Sequence, residues 1–550
     1  MIFACGEIHM LVFKRHLIGL CAALLFCTTA GAQVAVPTPG QIEDTLRKSP
    51  VLKTPETAPE IERRKSEAPA TANDAIKISV SHFEFKGNSL YDSETLEGLI
   101  ASYLNHPITL AQIYDAADTV TNYYTSHGYG LASVNVPAQK ISGGIVKLEV
   151  IEGRVSRISV ENNDRHQSDE ILGYLGDVHP SQIYRGDDLQ SGMRLINELP
   201  GLKAKAVVTP GDQYGTSDIV IKTREQLING SVSLDNYGRE QIDEFRLTGQ
   251  VQINNPFMVE DQISLLALHS QFSHLRYYNA GYSLPINYSG TRLVMNYGRA
   301  DFVVKNTPVD GYSNNTKVYV LQPLQRSNTD TADMTVGVVR NTSNTRFGGT
   351  QVGGNSITLL ELSASYNHVY ASQAITQVNT TLSTNFKRRN SGTTPQGVTR
   401  DDQIERLEMD VIHLQPLFER FSLLTRINGV YSPDALADSQ KYNIGGPQNV
   451  RGYPASEVRG DRGYFGSAAL NRPFFAGPVV FTPRLFIESG RVYSVGVPDP
   501  YDSLSSVGVG TDVNFAGGTF KIDWARPLGN HRASDGRDSG RFFGLLAYAF

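Results

Sequence analysis

From about Ser231 to the C-terminus, apolar and polar residues alternate in short segments: Arg246–Asn254, Gln262–His269, Arg292–Tyr297, Ile357–Tyr366 and Arg406–His413. A period of two with one apolar face is the signature of a strand that buries one side. About sixteen such segments follow one another at roughly twenty residues per strand and connection, where ~9 to 11 suffice to cross a bilayer, and an even count is the rule for single-chain bacterial barrels. Short connections, Pro285 to Gly290 and Phe515 to Gly518, alternate with long polar ones, Ala300 to Lys317, Arg340 to Ser356 and Lys387 to Arg406. That asymmetry predicts turns on one side of a membrane and loops on the other. The last segment sets Phe542, Leu546, Tyr548 and Phe550 on one face.

Ahead of this region the period changes. A strand at Ile78–Phe85 and a turn at Gly87-Asn88 precede helical stretches at Ser93–Leu104 and Thr109–Ser126, with Ser93 and Thr109 in N-cap positions. Strands at Leu131–Val136 and Gly144–Ile151 follow. The order recurs as a strand at Val155–Glu161, helical stretches at Ser168–Leu175 and Asp187–Leu199, and strands at Lys203–Thr209 and Asp218–Thr223. A β-α-α-β-β unit repeated at roughly 75 residues predicts two small α+β domains. Residues 33–75, rich in Pro, Glu, Lys and Ala, read as a linker. Within it Gln41–Lys48 offers two helical turns with Ile42 and Leu46 on one face, too short to be stable alone.

The first 32 residues read as a secretory signal, with Lys14 and Arg15 before the apolar run Leu17–Phe26 and small residues at Ala30-Gly31-Ala32. The run is shorter than the ~20 residues of a spanning helix. All three cysteines, Cys5, Cys21 and Cys27, fall inside it, so the mature chain is expected to carry no thiol. Its removal takes away Lys14, Arg15 and Glu7, and the formal charge of -5 becomes -6, which is no nucleic-acid signature. No other segment approaches 18 consecutive apolar residues, so a chain sent across the inner membrane is left with a soluble fold or a closed barrel. The 50 glycines, 26 tyrosines and 23 phenylalanines suit turns and aromatic strands. The expected boundaries are a signal at 1–32, a plug helix and linker at 33–75, domains at 76–153 and 154–226, and a barrel at 227–550.

Enzymatic chemistry finds no foothold in the sequence: it has no Gly-x-Ser-x-Gly, no His-Glu-x-x-His and no phosphate-binding loop, and its histidines, such as His413, stand singly. A barrel hydrolase with Ser and His on neighbouring strands stays open. No metal or cofactor is expected. The connection from Ser432 to Tyr464 carries the densest motif: Gly445-Gly446-Pro447-Gln448-Asn449-Val450-Arg451-Gly452-Tyr453-Pro454, then Gly460-Asp461-Arg462-Gly463-Tyr464. Gly452 lets the backbone turn so that Arg451 can reach the barrel wall. On the segment around Phe486-Ile487-Glu488-Ser489-Gly490, Arg484, Phe486 and Glu488 share one face and Leu485 and Ile487 the other. The second set suits lipid, since an Arg there would cost ~2 to 4 kcal/mol near the midplane.

The β-α-α-β-β order, with Val136-Pro137-Ala138-Gln139 and the run Gly144 to Gly153, resembles the polypeptide-transport-associated (POTRA) domain. Two such domains before a sixteen-stranded antiparallel barrel, together with Val450-Arg451-Gly452-Tyr453 and its Gly-Asp-Arg-Gly-Tyr sequel, resemble the outer-membrane transporters of two-partner (type V) secretion, the filamentous-haemagglutinin and haemolysin exporters. The resemblance implies a translocation pore in the outer membrane, in contact with its lipid, whose periplasmic domains recognise an unfolded partner protein. It makes the Ser432–Tyr464 connection an invaginating loop with Glu488 as the wall partner of Arg451, where the family has Asp. The aromatic terminus, Leu546, Tyr548 and Phe550, resembles the signal read by the barrel assembly machinery. In a wet lumen an Arg451–Glu488 pair is worth only ~0 to 1 kcal/mol, or ~1.5 to 3 if bidentate, so Tyr453, Asp461, Arg462 and Tyr464 are expected to share the load. Insertion of other barrels and passive diffusion are competing functions. Insertases usually carry more N-terminal domains, and a porin needs none.

Overall fold

The computed structural model describes residues 38–46, 52, 77–162, 166–176, 178–257, 260–385, 404–498 and 500–550. The signal, most of the linker and most of the Lys387–Arg406 connection lie outside the described residues.

Strands from Ile228–Asp235 to Arg541–Ala549 form one closed, 16-stranded antiparallel barrel. Ser231–Asp235 pairs with Leu545–Ala549 to close it, and Gly230 and Phe550 exchange backbone hydrogen bonds of 2.9 and 3.0 Å beyond that ladder. The strand Arg462–Asn471 breaks at Pro473, which has no N–H to give, and resumes as Phe474–Ala476 against the same neighbour, Val479–Tyr493. Inside and outside are set by parity: along Arg292–Val303, Met295, Tyr297 and Val303 are exposed while Gly298, Ala300 and Phe302 are buried inward. No helix among the described residues is long and apolar enough to cross a membrane.

Two of the expected long loops are strand. Arg292–Val303 and Val309–Arg326 pair through most of Ala300–Lys317, leaving residues 304–308 as the turn. Asp330–Phe347 and Thr350–Val369 run to a turn at Gly348-Gly349 through what reads as the loop Arg340–Ser356. The physical reason is that these upper halves carry polar residues on both faces, such as Asn314, Asn315, Thr342 and Ser343. They stand clear of the apolar band, where water meets both faces and alternation of hydropathy disappears while the backbone ladder continues.

In the first N-terminal domain His82–Lys86 runs parallel to Ile145–Ile151, which pairs antiparallel with Ser133–Asn135. Phe83, Leu96, Ile113, Val120, Tyr124 and Leu148 fill the space between this sheet and the helices Ser93–Leu99 and Leu110–Ser126. The segment Ile78–Phe85, read as one strand, is two: Lys77–Ser79 pairs with Pro107–Thr109 instead, and the ladder breaks where the Ser81 and His82 N–H groups both turn to Gly144 O. Asp92 rather than Ser93 caps the first helix, its carboxylate accepting from Thr95 N at 2.7 Å. Thr109 caps the second in a reciprocal box with Gln112. The second domain sets Arg154–Glu161 parallel to Thr216–Glu225 and Leu202–Pro210 antiparallel to it, under the helices Ser168–Gly173 and Gly186–Asn197.

This second domain is docked on the barrel. The Arg326 guanidinium bridges Glu198 of the domain at 2.6 Å and Asp333 of the wall at 2.5 Å. The Tyr174 hydroxyl donates to Glu260, in the turn after the second barrel strand, and its ring meets Tyr288 edge-on at 5.3 Å.

Candidate functional site

The chain leaves the wall after Ser422–Tyr431 and rejoins it at Arg462. Between them Tyr442–Ile444 and Val458–Gly460 pair as a narrow two-stranded neck that folds into the lumen. At its base the Asp461 carboxylate, 1% exposed, accepts from Leu436 N at 2.8 Å, Val495 N at 2.7 Å and Lys441 Nζ at 2.5 Å. Near the tip, Asn449 Oδ1 accepts from Gly445 N and Val450 N at 2.7 and 2.8 Å, closing a tight turn. Val450 and Tyr453 are fully buried with Ile444, Phe465, Val492 and Leu504, so the loop brings its own apolar core to the wall.

Arg451 sits on that core's edge and reaches two strands. Its Nε and Nη2 donate to Glu488 Oε1 at 2.9 and 2.5 Å, and its backbone N–H donates to Oε2 at 2.7 Å. Its Nη1 donates to Asp523 Oδ2 at 3.1 Å. Asp523 is held in turn by Arg484 at 2.8 and 2.5 Å, and Arg484 reaches Asp512 at 2.7 Å. Positive and negative charges thus alternate from Glu488 through Arg451, Asp523 and Arg484 to Asp512. The guanidinium also lies flat on Phe486, 3.5 Å from the ring centroid, a cation–π contact.

Arg451 and Glu488 are 9% and 3% exposed, so the pair is buried by protein rather than solvated as expected from sequence. In that setting removal of one partner strands the other charge and costs ~3 to 5 kcal/mol rather than ~1. Gly452 has φ +97°, and a Cβ there would lie 3.1 Å from Pro527 N, so the turn that aims Arg451 admits glycine alone.

The motif's ends separate. Asp461 faces inward and holds the loop, but the wall strand begins at Arg462, whose guanidinium lies on the rim over Tyr493 and Tyr431 at 4.1 and 5.9 Å. Tyr464 is 57% exposed on the outer face, so neither it nor Arg462 shares the load of the loop. Parity explains both: two residues apart on one strand, they point to the same outer side. Gly463 and Gly490 face inward, where Tyr442 and Ile444 of the neck lie against them. Phe550, Tyr548 and Leu546 are exposed along the outer face of the closing strand.

Sequence reasoning passed over Asp523 and the floor beneath the cluster. Phe486 lies opposite Gly508 and Arg484 opposite Gly510, and a Cβ at either glycine would run into the Phe486 ring or the Asp523 carboxylate. The signal was present as Val507-Gly508-Val509-Gly510, large residues outward and none inward, and as a lone Asp in the middle of Gly518–Leu528.

A second occupant stands beside the loop. The helix is Pro39–Thr45, two residues earlier than Gln41–Lys48, because Thr38 caps it, accepting from Gln41 N at 3.4 Å, and Pro39 suits its first position. Residues 47 and 48 lie outside the described residues. Ile42 is fully buried against Ile242, Leu268, Leu275 and Phe302 on the inner face of the wall. Gly40 N donates to Asp438 Oδ2 and Gln41 Nε2 to Ser456 O, both at 2.8 Å, and Arg459 reaches Thr38 Oγ1 and Asp438.

Among the described residues, the carboxylates that come together, Glu240, Glu244 and Asp535, are each paired with Arg537, and Arg541 also pairs with Glu244 and Asp535, so each already has a guanidinium partner.

Residues 215–513 match the family described as haemolysin secretion/activation protein ShlB/FhaC/HecB, and residues 78–153 match the ShlB-type POTRA domain. The chain is 26% identical to the outer membrane transporter CdiB of Dickeya dadantii over 78% of its own length and 79% of that protein. The solved structure of CdiB from Escherichia coli superposes with a TM-score of 0.70 at 20% identity, covering 94% of this chain and all of that one. BamA from Haemophilus ducreyi lacking POTRA domains 1–3 gives 0.53 at 13% identity over 86% of this chain, a likeness of fold.

Proposed function

The chain belongs to the haemolysin secretion/activation protein family, the outer-membrane transporters of two-partner secretion, and from that premise we propose that it takes up an unfolded partner protein in the periplasm through its N-terminal domains and passes it through the barrel. The observation that carries this reading is the double occupancy of the lumen. A passive pore has no use for a charged loop tip locked to its wall and a helix laid against that loop, whereas a pore that must open for a polymer and stay shut otherwise needs both.

In this reading Arg451, Glu488 and Asp523 hold the loop in register with the wall, while Val450, Gly452, Tyr453 and Asp461 give it its shape. The POTRA domains offer strand edges along which an extended chain can add. Barrel assembly machinery reads the terminal strand with Phe550, and the outer apolar band meets outer-membrane lipid. No nucleotide site is invoked, and folding of the partner outside the cell drives export by preventing its return. Insertion of other barrels has less support, since the likeness to BamA is one of fold and only two domains precede this barrel.

The test is a strain lacking this protein, with its released proteins compared with those of the parent strain and the one that is lost taken as the partner. The partner should leave the medium and be found in the periplasm or degraded, and return when the wild-type chain is restored. Unchanged secretion in the deleted strain would refute export, and a general loss of outer-membrane barrels would point to the insertase instead.

A further inference from the structure

Arg462 and Tyr464 end the loop motif yet take no part in holding the loop. They belong instead to a belt on the outer face, at the end of the barrel away from the docked domain: Tyr431, Arg462, Tyr464, Arg491, Tyr493 and Tyr501. Parity turns all six outward. Tyr431, Tyr464 and Tyr501 are each 57% exposed, and Arg491 and Tyr493 continue the outward row of Leu485 and Ile487. In the ladder Arg462 stands opposite Tyr493 and Arg491 opposite Tyr464, so guanidinium and phenol alternate across the two strands. Arg491 lies over Tyr501 at 5.8 Å, as Arg462 does over Tyr493 and Tyr431, and Tyr493 meets Tyr501 edge-on at 5.0 Å. Phe481 is exposed at the lower end of the same strand as Tyr493. The twelve positions between them, at ~3.4 Å each and tilted by ~35 to 45°, rise roughly 30 Å, the thickness of the hydrocarbon core. With the N-terminal domains in the periplasm, the belt lies where the headgroups of the outer leaflet begin. Inside the barrel Arg451 and Arg484 are each held by two carboxylates. Among the described residues Arg462 and Arg491 meet rings but no carboxylate: Asp461 is turned into the loop, and Asp502 stands opposite the inward Val492.

We propose that this belt is a binding site for a phosphorylated glycolipid of the outer leaflet, with one headgroup phosphate seated between Arg462 and Arg491. The two arginines are diagonal neighbours across the ladder, ~7 to 8 Å apart at the backbone, so both long side chains can close on one anion. Each guanidinium presents a planar fork of N–H donors that matches phosphate oxygens. The tyrosine faces beneath hold those forks in place before the ligand arrives, which lowers the ordering cost of binding. Exposed phenol hydroxyls beside them offer hydrogen bonds to the sugar that carries the phosphate. At this level the penalty for a lipid-facing arginine has largely fallen away. The belt is joined to the loop through the backbone: Asp461, which anchors the neck, precedes Arg462, and its N–H donates to Tyr493 O at 2.7 Å. A headgroup held outside therefore braces the strand pair from which the loop descends. The proposal needs a barrel in the outer membrane and is independent of what passes through it.

The test uses the full chain in detergent micelles, with diphosphorylated lipid A as the probe and bound lipid counted by native mass spectrometry. Binding should saturate. It should weaken about tenfold when the same lipid lacks its phosphates, and by a similar factor in the double variant Arg462→Ala/Arg491→Ala, which removes both charged forks. Arg276→Ala removes another outward arginine at the same end of the barrel, one that stands opposite Asp301, and should leave binding unchanged. Lipid A should also raise the temperature at which the wild-type barrel unfolds, read by heat-dependent gel migration, and should not do so in the double variant. Should the double variant fail to fold, the phosphate-free lipid still decides, because that arm uses the unaltered protein. Equal binding of the phosphate-free lipid would mean ordinary annular lipid, and an equal loss in Arg276→Ala would mean net charge alone. Displacement of lipid A by millimolar inorganic phosphate would mean a free anion, and equal competition by phosphatidylglycerol would mean any anionic lipid. Each of these four results would overturn the site.

Discussion

The loop and the helix share one lumen and are held by different physics. The loop is fastened to the wall through buried charge and its own apolar core, with Arg451 shared between Glu488 and Asp523 and Asp461 filled by three donors. The helix, Pro39–Thr45, is fastened mainly to the loop: its polar contacts run to Asp438, Ser456 and Arg459, and Ile42 is its fully buried apolar side chain. Seven residues are too few to hold a helix in water, so this one exists only while its surroundings shape it. The difference separates a fixture from what we propose is a plug: the loop is held by buried charge, whereas among the described side chains the helix rests on Ile42, Leu46 and a few hydrogen bonds.

The largest effect should come from breaking the fixture. Arg451→Ala leaves Glu488 and Asp523 buried without their shared cation, a loss of ~3 to 5 kcal/mol, and secreted partner per inserted barrel should fall about a hundredfold. Glu488→Ala should fall nearly as far, and the double variant no further than the worse single, because residues in contact couple by ~0.5 to 3 kcal/mol. Additive losses on a logarithmic scale would show that the two act separately. Next in size is the floor. Gly508→Ala forces the Phe486 ring away from the Arg451 guanidinium, an overpacking of ~1 to 3 kcal/mol, and should lower secretion about tenfold with barrel insertion unchanged. Secretion at the wild-type level would remove the cation–π contact from the account.

The plug side should respond in conductance rather than in assembly. Deleting residues 33–50 takes out the helix while leaving every contact of Arg451 in place, and mean conductance in planar bilayers should rise severalfold. Unchanged conductance would demote the helix to part of the linker, and loss of barrel insertion would mean that the helix props the loop.

How much of this was legible depended on whether a residue's role is set by its own strand or by a neighbour. Barrel, parity and the face shared by Arg484, Phe486 and Glu488 follow from a period of two, which the lipid band enforces. The upper strand ends within Ala300–Lys317 and Arg340–Ser356 escaped notice because water on both sides erases that period. Asp523 belongs to a strand distant in sequence from both Arg451 and Glu488, and only the register of closed neighbours brings it to the guanidinium. Gly508 and Gly510 matter for what they leave empty, and an empty space is visible only when the side chain that fills it is in view. The helix was legible as a short amphipathic stretch, but its start was set by Thr38 and Pro39, outside the apolar pattern that drew attention to Ile42 and Leu46.

The smallest effect concerns the cradle of Ile42, and its sign separates helix from loop once more. Asp243 precedes the second barrel strand, and its fully buried carboxylate gathers three connections: it accepts from Ser270 Oγ at 2.8 Å and Phe272 N at 2.9 Å, and pairs with Lys305 at 2.7 Å. Ile242, Leu275 and Val304, which border those connections, are the residues around Ile42. Burial pushes the carboxyl up, but the hydrogen bond from Lys305, those from Phe272 and Ser270, and the Lys305 charge outweigh it and hold the group at about 2. A carboxyl depressed from ~3.9 in the unfolded chain contributes stability that is complete above that value and is lost only as pH falls through about 2. His274 Nδ1 lies 3.1 Å from the same carboxylate. Resting conductance should therefore stay flat when the outer side is taken from pH 7 to pH 4. Asp243→Asn removes the charge at every pH and should raise conductance about twofold, since a neutral amide keeps part of the hydrogen bonding and forfeits ~0.5 to 1.5 kcal/mol. Secretion in that variant should match the wild type, because no contact of Arg451 or Asp461 is touched. A wild-type channel that opens between pH 6 and pH 4 would show that some other group holds the cradle, and the plug would then be acid-released rather than displaced by an arriving chain.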